Sequence, residues 1–92
     1  MEIVFTRAAL RDLERIHVFI ARDDPGRAYD VLASIRIAIN RLAIYPAFGR
    51  PSKKAGVREL IVPRLPYKVP YRVRGEKVRI LRVLHGKQQE KL

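Results

Sequence analysis

A chain of 92 residues with 48% apolar side chains and no cysteine has one domain's worth of sequence and can bury only roughly 60–65% of its unfolded surface. The missing cysteines exclude disulfides, thiolate catalysis and cysteine-ligated zinc. No hydrophobic run is long enough for a bilayer span, and Met1–Arg7 has no signal-peptide core, so a cytoplasmic protein is expected. The formal charge is +11 and is unevenly placed. Residues 1–46 hold seven arginines against six carboxylates, a net +1; residues 47–92 hold thirteen Lys/Arg against three, a net +10. Such a field raises encounter rates with polyanions or acidic proteins, and an anionic partner is expected.

Along the chain, Glu2–Phe5 is a short apolar strand, and Thr6 is a suitable N-cap for the helix that follows. Ala9, Leu13, Ile16 and Ile20 recur at spacings of four, three and four, the stripe of an amphipathic helix. Asp23-Asp24-Pro25-Gly26 breaks it and opens a second helix, with Asp24 as cap and Pro25 in the first turn, where no hydrogen bond is lost. Ala28, Leu32, Ile35, Ile39 and Leu42 form its face, and Tyr45-Pro46 ends it. Two matched helices joined by so short a turn form an antiparallel hairpin.

Residues 47–56, rich in Gly, Pro, Ser and Lys, read as a loop. Beyond it the period changes to two. Val57–Val62 is a strand, and Tyr67, Val69, Tyr71 and Val73 alternate with Lys68, Pro70, Arg72 and Arg74, a half-buried strand with a basic outer face. Pro70 cannot donate to a ladder, so an edge or a bulge is expected there. A turn at Arg74-Gly75-Glu76 leads into a returning strand, Lys77–Leu84, apolar on both faces and therefore interior or covered by a partner. Residues 86–92 read as a mobile polar tail of this one domain. The expected class is α+β, in the order β-α-α-β-β-β, a helical hairpin on a small antiparallel sheet.

Six stretches carry a family resemblance: F-T-R-A-A-L-R-D-L at 5–13, D-D-P-G at 23–26, Y-P-A-F-G-R at 45–50, V-R-E-L-I-V at 57–62, P-Y-K-V-P-Y-R-V at 66–73 and V-R-I-L-R-V-L-H at 78–85. In this order they resemble the ParE/RelE toxin superfamily, most closely its ParE branch. The resemblance implies a toxin of a type II toxin–antitoxin module, of the kind that serves plasmid stabilization. It would be neutralised by an acidic antitoxin in a heteromeric complex and directed at DNA gyrase without covalent chemistry of its own. The alternative it implies is a RelE-like, ribosome-dependent mRNA endonuclease. A third possibility is a degenerate toxin acting mainly as co-repressor.

For the endonuclease, His85 is the candidate acid or base and Glu59 the available carboxylate, with Arg58 and Arg82 as phosphate-holding cations. RelE-type enzymes often carry an aromatic hydroxyl just after the last strand. Gly86 follows His85 here, and no Tyr or Phe occurs beyond Tyr71, which argues against RNA cleavage. The cations expected to meet target or antitoxin are Lys53, Lys54, Arg58, Lys68, Arg72, Arg74 and Arg82. Leu10, Val18 and Phe19 lie beside the main stripe of the first helix and are candidate apolar contacts for the antitoxin. Tyr67 and Tyr71 share the apolar face of their strand and are expected in the core. Two histidines 68 positions apart form no metal motif, and neither metal nor cofactor is expected.

Overall fold

The computed structural model describes residues 1–86. Strand β1 (Glu2–Phe5) leads into helices α1 (Arg7–Ala21) and α2 (Pro25–Asn40), the second extended by a 3-10 turn at Arg41–Ala43. Five further strands follow: β2 (Arg50–Pro51), β3 (Arg58–Ile61), β4 (Tyr67–Arg74), β5 (Lys77–Ile80) and β6 (Leu84–His85). Both caps form as the sequence suggests: Thr6 accepts from the Ala9 N–H and Asp24 from the Arg27 N–H. The helices lie against one face of the sheet. Ala9 and Leu13 of α1 and Ile35, Ile39 and Leu42 from α2 onward close one core with Leu60, Val69, Tyr71, Val78 and Ile80.

The sheet runs β1-β5-β4-β3-β2, with β6 also paired to β4. It is mixed rather than purely antiparallel, because β1 joins β5 in parallel, with Ile3 opposite Val78 and Phe5 opposite Ile80. The connection that such a parallel pair requires runs through the helical hairpin and then β2, β3 and β4. Two other expectations need amendment. The loop 47–56 contains β2, which pairs Arg50 with Glu59 and Pro51 with Arg58. The returning strand does not run unbroken to Leu84, because residues 81–83 leave the ladder before β6 rejoins β4.

That break is where α1 reaches the sheet edge. The Thr6 hydroxyl donates to the Leu81 carbonyl, and Asp12 takes the Val83 N–H. It also resolves the awkward proline. Pro70 is buried in an interior strand, and its carbonyl accepts from Leu81. A strand residue's N and O point to the same side, so the missing donor faces the Leu81 carbonyl, which the Thr6 hydroxyl satisfies instead. Residues 87–92, most of the expected tail, lie outside the described residues; Gly86 donates its N–H to the Pro66 carbonyl.

Candidate functional site

Two surfaces on opposite sides of the sheet gather the chemistry of this molecule. The first is a groove of about 730 Å³ between α1 and the β4–β6 end of the sheet. Ile16, Val18, Phe19, Tyr67 and Val83 supply its apolar walls, and Arg11, Glu14, Arg15 and Arg22 supply charges around them. Phe19 is 73% exposed, and Val18 and Leu10 are about half exposed. A helix that spends apolar side chains on solvent in this way marks a surface built to be covered. Val18 and Phe19, expected from the sequence, line the groove; Leu10 lies outside its lining.

The floor of the groove is held by a pair that sequence periodicity did not single out. Asp12, 6% exposed, receives the Arg82 guanidinium in a two-pronged contact of 2.7 and 2.9 Å and the Val83 N–H at 2.9 Å. The hydrogen bond that Arg82 donates to Asp12 raises the Arg82 pKa further, against the opposing effect of burial. Arg82 is therefore engaged within the fold. The one available signal was an aspartate beside the helix stripe next to Leu13, which reads equally well as a solvated charge. His85 closes the groove, its ring edge-on to Tyr67 with centroids 6.0 Å apart. Burial raises the Tyr67 pKa, partly offset by Arg27.

The second surface is the outer face of the sheet. Glu59 lies there between two cations, Arg50 at 3.3 Å and Lys68 at 3.9 Å. With Lys53 and Lys54 these residues line a hollow of about 550 Å³ under β2. Arg72 and Arg74 continue the same face on β4, as the alternation predicts, and β5 adds Lys77 and Arg79. The tyrosines take the other face. Tyr71 is fully buried, donates its hydroxyl hydrogen to the Pro46 carbonyl at 2.7 Å and accepts the Gly49 N–H at 2.8 Å. Burial raises its pKa, against the Gly49 hydrogen bond and the Arg58 charge. Only glycine fits at 49, because a Cβ there would stand 2.6 Å from the Tyr71 ring.

The four residues an endonuclease would need do not converge. Glu59 faces outward, whereas His85 shares the helix side with Tyr67. Arg58 donates to the carbonyls of Ala47 and Gly49, next to Tyr71. Its partner position on β4 is four residues from that of His85, about 13 Å along the strand. Arg82 is held by Asp12. Among the described residues no cluster of His, Asp and Glu suits a metal ion, and no helix is long and apolar enough to cross a membrane.

Comparison with known proteins agrees with this architecture. Residues 3–90 match the family model described as the ParE toxin of the type II toxin–antitoxin system, parDE. The protein named toxin Y4kP of Sinorhizobium fredii is 45% identical over 95% of this chain and 90% of its own. Toxin RelE2 of Caulobacter vibrioides is 36% identical over 92% of this chain and 94% of its own. The solved chromosomal ParDE system from P. aeruginosa contains a chain that superposes with a TM-score of 0.82 at 32% identity, covering 92% of this chain and 95% of that one. Fold and relatives together define a toxin of the ParE/RelE superfamily. Within that class, the chain belongs to the ParE toxin family of type II toxin–antitoxin systems.

Proposed function

We propose that this toxin acts by binding, as an inhibitor of DNA gyrase, and that a cognate acidic antitoxin silences it by covering the α1 groove. The observation that carries the reading is the separation of Glu59 from His85 by the thickness of the sheet, with Arg82 already paired to Asp12. General acid–base cleavage of RNA needs its acid and base within hydrogen-bond reach of one phosphodiester, and this arrangement offers no such point. A protein of this kind stabilises a state of its target instead of making or breaking a covalent bond. It works in the cytoplasm, where gyrase and DNA are found.

The antitoxin follows from the groove and the charge. Val18 and Phe19 offer apolar anchors, and Arg11, Arg15 and Arg22 surround them with cations. A helix with an apolar face and carboxylates beside it matches both features. The related chain from P. aeruginosa belongs to a chromosomal ParDE toxin–antitoxin system, in keeping with that partner.

A second reading, a ribosome-dependent mRNA endonuclease, is favoured by the 36% identity to a protein named RelE2. The two part in one experiment: gyrase supercoiling and DNA cleavage run beside mRNA cleavage on ribosomes. Cleaved DNA accumulating with intact mRNA is the expected result. Cleaved mRNA with normal supercoiling would overturn the gyrase reading and make His85 the first residue to replace.

A further inference from the structure

We infer that the outer face of β4 and β5 is a docking surface for the phosphate backbone of duplex DNA. Arg72 stands directly opposite Arg79, and Arg74 opposite Lys77, so four cations occupy two adjoining cross-strand positions. Like charges in such pairs repel and cost stability. By register the nearby carboxylates are Glu2, opposite Lys77, and Glu76 in the turn. Neither closes an ion pair with these four among the described residues. The four cations line a shallow hollow of about 380 Å³ with Val4 and Leu81 as its apolar margin. A face whose mutually repelling charges close no ion pair among the described residues is completed by an external anion.

The composition of the face selects among anions. Three of its four cations are arginines, whose planar fork suits phosphate oxygens. No tyrosine or phenylalanine shares the face: Tyr67 and Tyr71 point to the helix side, and Tyr71 is fully buried. Single-stranded RNA is gripped largely by stacking its bases on aromatic rings, and nothing here supplies that platform. An acidic protein segment would want a larger apolar centre, and the molecule's large apolar hollow lies on the other side of the sheet. A duplex backbone needs only charges held on a firm support, which two paired strands provide.

This inference goes beyond the gyrase reading and does not need it. A toxin that binds DNA yet leaves gyrase untouched would keep this inference and sink the other. The test is fluorescence anisotropy of a labelled 20-base-pair duplex with the full chain across a salt series. Arg74→Gln/Lys77→Gln/Arg79→Gln, all at exposed positions, should weaken binding about tenfold or more and flatten the slope of log affinity against log salt by about 2 to 3. Arg7→Gln/Arg36→Gln/Arg41→Gln removes the same charge from the helices and should leave the slope nearly unchanged. Arg72→Gln alone should flatten it by about one, which keeps the test alive should the triple variant misfold. Equal losses in the two triple variants would overturn the inference, as would tighter binding of a single-stranded RNA or of a poly-glutamate peptide than of the duplex.

Discussion

Asp12 and Tyr71 are the polar groups the interior depends on, and each satisfies partners that sequence spacing does not connect. Asp12 ties α1 to the interrupted strand through Arg82 and the Val83 N–H. Asp12→Asn removes the charge and one acceptor while leaving Arg82 three-quarters covered. It should cost about 3 kcal/mol, read as a lower denaturant midpoint; a change within about 0.5 kcal/mol, usual for a surface site, would show the pair to be dispensable. Tyr71→Phe strands the Gly49 N–H and the Pro46 carbonyl and should cost about 2 kcal/mol. Its pKa also sets a pH dependence. The folded state holds the Tyr71 hydroxyl neutral above its ordinary value of 10.0, so unfolding lets the proton leave more easily. The contribution is complete below pH 10 and is lost as pH rises through the folded pKa. Stability measured between pH 8 and 11 should fall less steeply in Tyr71→Phe than in the parent.

At the scale of elements, α1 faces two ways. Its inner stripe, Ala9 and Leu13, is buried in the core, while Val18 and Phe19 stay exposed on the groove. Val18→Asp/Phe19→Asp should lower antitoxin affinity about 100-fold by calorimetric titration, the effect expected of apolar anchors. The thermal midpoint of the free toxin should barely move, because neither side chain is buried in it. An unchanged affinity would move the antitoxin to another surface. Both helices, their caps and the basic alternation of β4 are legible in the sequence, because each is written in neighbours three, four or two residues apart. The break at 81–83 is not. Leu81, Arg82 and Val83 look like uninterrupted strand, and only contacts with Thr6 and Asp12, some seventy residues earlier, draw them from the ladder. The strand β2 was hidden for a similar reason, since two residues carry no period.

The whole molecule has one core, shared by both helices and the sheet. Its two ends are joined by the β1–β5 pair, which closes only after the chain has folded over nearly its full length. Unfolding should therefore be a single transition, with far-UV circular dichroism and tyrosine fluorescence coinciding in denaturant. Separate midpoints would mean that the helical hairpin and the sheet come apart independently. The same closure separates the functional surfaces: apolar groove on the helix side, cations on the outer face. Composition, charge asymmetry, the helical hairpin, the basic strand and the family words were set by the sequence alone, because local spacing and counting suffice for them. The parallel entry of β1, the Asp12–Arg82 clamp, the addition of Lys77 and Arg79 to the basic face and the separation of Glu59 from His85 were decided by tertiary structure. Each depends on which distant strands lie side by side and in what register, and a shift of one residue would turn every side chain to the opposite face.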